Sequence, residues 1–175
     1  IASDAARGCG ALDLRTSEAP HRHYVERLIA GGPYRSGHLY TRAWLWLDPL
    51  PSESVEEWIS LVFISEPDPP FDGIAIQATP GPQLSIYAAR AEGATPERTP
   101  IAYGRWTCVE LHHEIGTSGV IELSVDGALA MRYEGVDTTA AGGYTTPSVA
   151  LLNQPSTRHV GHVRIDDVAV AAAKN

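Results

Sequence analysis

Positive charge is scarce in this chain. Thirteen basic residues face 21 acidic ones, giving a net charge of −8. Lys174 is the single lysine, and every other basic residue is an arginine. Nonspecific nucleic-acid binding depends on a basic surface, so that class is excluded. A polybasic membrane patch is excluded for the same reason. No apolar run approaches the roughly 20 residues of a membrane span. Cysteine is limited to Cys9 and Cys108, far apart and without CxxC or other zinc spacing. A disulfide between distant strands would fit an exported domain, and two separate buried thiols are the alternative. Both remain open at this point. The sequence has no Gly-x-Ser-x-Gly elbow and no nucleotide phosphate loop. It opens at Ile1 with no methionine and no signal peptide. It therefore reads as a mature product, or as a piece of a longer exported protein.

What is present is a well-patterned core. The 175 residues are 43% hydrophobic, which suits one domain over 1–175 and disfavours disorder. The clearest pattern lies in residues 105–135. Val109, Leu111 and Ile115 alternate with Glu110, His112 and Glu114. Ile121, Leu123 and Val125 then alternate with Glu122, Ser124 and Asp126. Period-two alternation buries one face of a strand and leaves the other wet. Thr117-Ser118-Gly119 and Asp126-Gly127 supply the turns. Three consecutive antiparallel strands are thus expected over 105–115, 119–126 and 128–134, and further strands over 10–16, 22–29, 38–48, 58–66, 73–79, 83–90, 147–153 and 159–170. A short helical turn is expected over 52–58, after a serine cap. Proline-rich breaks at 67–70 and 80–82 mark loops, as does Gly142-Gly143. About eleven short strands predict an all-β, antiparallel, two-sheet jelly-roll β-sandwich.

Chemistry-bearing residues concentrate on the strand over 38–48. Leu39, Ala43, Leu45 and Leu47 share one face. His38, Tyr40, Arg42, Trp44, Trp46 and Asp48 share the other. Aromatic rings stack on the apolar faces of sugars, while Arg and Asp bond hydroxyls or a carboxylate. Tyr40, Arg42 and Trp44 are therefore candidate carbohydrate ligands, with Gln77 and Tyr87 joining from neighbouring strands. The competing reading places Trp44 and Trp46 in the core of a strand covered on both sides. Glu110 and Glu114 stand roughly 13 Å apart along one strand, too far for a hydrolytic carboxylate pair. They read as a solvated face. His112 and His113 point to opposite faces, and no histidine pair has zinc spacing.

The Trp-led strand Arg105–Leu111, the segment Ser124-Val125-Asp126-Gly127 and the closing strand Val163–Val170 resemble the concanavalin A-like lectin and glucanase jelly-roll superfamily, laminin-G-like modules included. Leu39–Leu47 resembles the long inner strand of such domains. The resemblance implies a structural calcium at Asp166, with Asp167 next and Asp4 or backbone oxygens completing the shell. The compact Glu-x-Asp-x-x-Glu strand of the related laminarinase-type hydrolases is absent. So is a Gln-x-His pair of lyase type, since Gln77 is followed by Ala78 and Thr79. A lyase needs a base near the sugar C5 proton and a neutraliser for the uronate carboxylate. Arg42, Gln77 and Tyr87 are the residues suited to it. The leading expectation is a noncatalytic carbohydrate-binding or cell-surface recognition module, extracellular or in the cell envelope. Its partner is a polysaccharide or glycan. A polysaccharide lyase or glycoside hydrolase of the same fold is the first alternative. A protein-interaction or adhesion module, binding a surface protein, is the second.

Overall fold

The computed structural model describes residues 11–15, 22–26, 32–49, 59–66, 73–79, 81–91, 97–153 and 162–173. The first six strands are β1 (Leu12–Arg15), β2 (Arg22–Glu26), β3 (Gly37–Leu47), β4 (Ile59–Ser65), β5 (Gly73–Thr79) and β6 (Gln83–Ala88). The other six are β7 (Arg98–Pro100), β8 (Trp106–Ile115), β9 (Gly119–Val125), β10 (Ala128–Val136), β11 (Thr146–Asn153) and β12 (His162–Ala173). They pair antiparallel in two six-stranded sheets. The first runs β1-β12-β3-β8-β9-β10 and the second β2-β11-β4-β5-β6-β7. This is a jelly-roll β-sandwich.

The alternation read from sequence explains the layers. Leu39, Leu45, Leu47, Val109, Leu111, Ile121 and Leu123 are buried on the inner face of the first sheet. Ile64, Ile74, Ile76, Leu84 and Ile86 meet them from the second. Each such side chain contributes about 1.5–3 kcal/mol on burial. His113 lies on the same inner face of β8, fully buried, with its ring 4.9 Å from that of Tyr144. Burial, then the neighbouring His112 and His38, pushes its pKa down to about 3, so it is neutral in the core.

Two turns depend on backbone that bulky residues resist. Asp126 and Gly127 both have positive φ, 51° and 81°, which matches a two-residue hairpin between β9 and β10. The Asp126 carboxylate accepts the Cys108 N–H at 2.9 Å and pairs with Arg105 at 2.6 Å. At Gly119 a Cβ would meet the Glu114 carbonyl and the Thr138 hydroxyl, each at 2.3 Å. Any side chain there would force β8 and β9 apart.

Several expectations are revised. β7 was not anticipated: three residues ending in proline show no alternation. β12 runs on through an alanine stretch to Ala173, past the expected end at 170. It also contains a bulge between Asp166 and Ala169, where Asp167 has φ 47°. The expected helical turn over 52–58 lies outside the described residues. So does Cys9, and with it the question of a bond to Cys108.

Candidate functional site

The sandwich has two outer faces, and the residues singled out from sequence divide between them. Tyr40, Arg42 and Trp44 stand together on the outer face of the first sheet, where β3 alternates buried and partly exposed positions. Trp44 and Trp46 lie on this partly exposed face and not in the core. Trp46 meets Trp106 edge-on at 5.9 Å, and the Arg164 guanidinium lies 5.3 Å from the Trp46 ring. Gln77 and Tyr87 belong to β5 and β6 in the second sheet. The expected single groove of Arg42, Gln77 and Tyr87 therefore does not form. Sheet membership is a long-range property that adjacent strand patterns do not encode.

The first sheet's outer face carries a row in direct register: Tyr40, His112, Glu122 and Arg132. The Tyr40 and His112 rings are nearly parallel, 9° apart, with centroids at 4.5 Å. A carboxylate only accepts, so His112 Nδ1–H donates to Glu122 Oε2 at 2.8 Å. His112 Nε2 is then the acceptor for His38 Nδ1–H at 3.0 Å. Glu122 is also paired with Arg132. Burial, then His38, lowers the His112 pKa, with Glu114 opposing and Arg132 adding to the fall. The imidazole is thus neutral and fixed in one tautomer. Around it Tyr40, Arg42, Glu110, His112, Glu122 and Ser124 line a shallow depression of about 390 Å³. From sequence alone, Glu110 and Glu114 read as a solvated face, His38 falls on the Tyr40 face without a role, and nothing singles out His112, Glu122 or Arg132 as site residues. Their meeting depends on register across strands.

Arg42 is committed locally. Its guanidinium bonds Asp167 at 3.2 Å, with both side chains partly exposed. Asp166 accepts the Asp167 N–H at 2.8 Å. Among the described residues, no group of three or more His, Cys, Asp or Glu is arranged to hold a metal ion. Asp4 lies outside them.

The second sheet's outer face is different in kind. Ile76 and Ala78 face the core, so Gln77 between them points away from it, yet Gln77 is only 5% exposed. Its amide donates to the Ser60 hydroxyl at 3.3 Å, and Ser60 is 6% exposed. Ala75, on the same side, is fully covered. Ser60, Gln77, Ser85 and the exposed Arg98 form one register row across β4 to β7. Leu152 and Arg22 continue that row on β11 and β2. Tyr87, partly exposed, pairs with Ala75 and so is a diagonal neighbour of Gln77. Such neighbours stand about 7–8 Å apart. This face is sheltered and polar, with a cation at its edge. Ser60 was not foreseen, because a lone serine in an apolar strand gives no signal.

No family model matches the sequence, and no curated protein matches it. Solved structures do. An endo-β-1,4-glucuronan lyase from the fungus Trichoderma reesei aligns with 95% of this chain and 83% of its own, at 17% identity and TM-score 0.66. The alginate lyase A1-II′, as a double cysteine variant, aligns over 94% and 80%, at 14% identity and TM-score 0.63. Another alginate lyase aligns over 94% and 82%, at 10% identity and TM-score 0.61. These neighbours correct the leading expectation of a noncatalytic recognition module, because they favour the catalytic alternative of the same fold. The chain has the concanavalin A-like jelly-roll fold found in these polysaccharide lyases.

Proposed function

We propose that this protein is a polysaccharide lyase that cleaves a uronate-containing chain on the outer face of its second sheet. The observation that carries the reading is Gln77: a polar amide aimed away from the core yet sheltered from water, in a fold shared with lyases of glucuronan and alginate. Beta-elimination removes the proton at C5, forms the C4–C5 double bond and breaks the C4–O bond. The departing oxygen then takes a proton. The step needs hydrogen-bond donors on the uronate carboxylate, where charge builds up as C5 loses its proton. The Gln77 amide N–H group supplies one, and the Arg98 cation strengthens that end of the row. The Tyr87 phenol both accepts and donates protons, and its diagonal position puts it within one sugar ring of Gln77.

Charge supports the choice of face. The first-sheet depression is lined by two carboxylates, Glu110 and Glu122, against one arginine, Arg42, which is offset by Asp167. That surface repels a polyuronate. An enzyme acting on such a polymer meets it outside the cell or in the envelope, which is the proposed location.

The test is incubation with polyglucuronate and polyalginate, following absorbance of the unsaturated product beside reducing-end release. Absorbance rising with new reducing ends supports a lyase. Reducing ends without absorbance would indicate a hydrolase.

Calcium at Asp166 and Asp167 is a separate proposal, resting on the superfamily resemblance alone. Two carboxylates, one of them bonded to Arg42, do not by themselves make the six to eight oxygens calcium takes. Chelator lowering the melting temperature, with restoration by calcium and loss of the response in Asp166→Ala, would support it. An unchanged melting curve after verified metal removal would remove it.

A further inference from the structure

The bulge in β12 changes what stands beside Tyr40. Asp166 pairs with Trp44, but the next outward partners are Ala169 with Arg42 and Ala171 with Tyr40. Without the extra residue at Asp167, regular pairing would set Val168 beside Arg42 and Val170 beside Tyr40. The bulge replaces two branched side chains with two methyl groups. Ala169 and Ala171 then line the 390 Å³ depression next to an aromatic ring that is 45% exposed. That volume lies within the about 300–1,000 Å³ of small-molecule sites.

The ring is also held in place. Tyr40 lies flat against His112, which is fixed by Glu122 on one nitrogen and His38 on the other. Glu122 is itself fixed by Arg132. A platform oriented before the ligand arrives loses less entropy on binding. Glu110, Glu122 and Ser124 place oxygen atoms around it, suited to hydroxyl groups. The excess of carboxylates excludes a polyanion.

We propose that this depression is a second, noncatalytic binding site for a neutral β-linked hexose chain, on the face of the sandwich opposite the proposed lyase site. A β-linked neutral hexose presents flat C–H faces to an aromatic ring and hydroxyls at its rim. The site would hold the protein on a neutral polysaccharide while the other face acts on the acidic one.

Calorimetric titration with a neutral β-1,4-glucan hexasaccharide and a polyglucuronate hexasaccharide tests this. The intact protein is expected to bind the neutral probe. Tyr40→Ala and Ala171→Trp should each weaken that binding at least tenfold, the first by removing the platform and the second by filling the space. Both should leave the melting temperature and polyglucuronate binding unchanged. Failure of the folded protein to bind the neutral probe would overturn the proposal. So would equal binding by both variants, or loss of neutral binding in Gln77→Ala in place of Tyr40→Ala. None of these outcomes depends on lyase activity, so the two proposals fail separately.

Discussion

The two outer faces of this sandwich solve opposite problems. On the first sheet most polar groups pair with one another, Arg132 with Glu122, Glu122 with His112, His112 with His38 and Arg42 with Asp167, although the buried Arg42 Nε finds no acceptor among the described residues. Tyr40 remains the open surface. On the second sheet Ser60 and Gln77 are sheltered and bond each other. A largely self-paired polar face costs little to build, and its surplus of carboxylates disfavours an anionic substrate. A sheltered polar face is costly unless a ligand or water completes it. The difference teaches where chemistry belongs. On the proposed reading, the exposed aromatic ring serves adhesion and the covered polar side chains turned away from the core serve the reaction.

Four changes sharpen that contrast, from the largest expected effect down. Tyr87→Phe removes the proposed proton-transfer group, and kcat on polyglucuronate should fall about 10²–10⁴-fold. Stopped assays of product absorbance would show it, and a phenylalanine variant at wild-type rate would free Tyr87 of that role. Gln77→Glu replaces an amide donor with a carboxylate facing the uronate. The loss of one such donor is worth about 10²–10³ in kcat, and the added charge should also raise KM. Steady-state kinetics separates the two parameters.

Between the faces, His113 sets an acid limit on the core. Its pKa is 6.5 unfolded and about 3 folded, so the native state binds fewer protons. The cost of keeping it neutral is absent above pH 6.5 and grows as pH falls toward 3, to on the order of 5 kcal/mol in all. Denaturant melts at pH 7 and pH 4 should show a steep fall for the native sequence and a shallower one for His113→Leu. Parallel curves would contradict it. Arg42→Ala breaks only a partly exposed ion pair. The expected loss is at most about 1 kcal/mol, read as a small drop in melting temperature. A larger drop would mean that the Arg42–Asp167 pair holds the β12 bulge in place.

Local order was legible in the chain, and long-range order was not. The hairpin from β8 to β10 follows from strict alternation and from Asp126-Gly127, whose φ angles are what that turn demands. The division of β3 into a buried and a partly exposed face also held, but Trp44 and Trp46, at least one of which was expected in the core, both lie on the partly exposed face. Sheet partners did not follow. Arg42 and Gln77 lie in different sheets, because strand order depends on packing of the whole chain. The Tyr40–His112–Glu122–Arg132 row was invisible for the same reason: its members are neighbours only in register. The β12 bulge was hidden because Val168-Ala169-Val170-Ala171 is apolar in either register, so polarity does not reveal a one-residue slip. Noncatalytic function was inferred from the aromatic face of β3 and from missing catalytic motifs, the Gln-x-His pair among them, yet Gln77 without that histidine is a covered amide on the second sheet.

The central claim is tested most directly by one side-by-side assay. Native protein, Tyr40→Ala and Gln77→Ala are each given polyglucuronate, and the unsaturated product is followed by absorbance and mass. The account predicts product from the native protein and from Tyr40→Ala at similar rates, and at least a hundredfold less from Gln77→Ala at equal thermal stability. Undiminished product from a folded Gln77→Ala, with loss in Tyr40→Ala, would place the chemistry on the other face and contradict it.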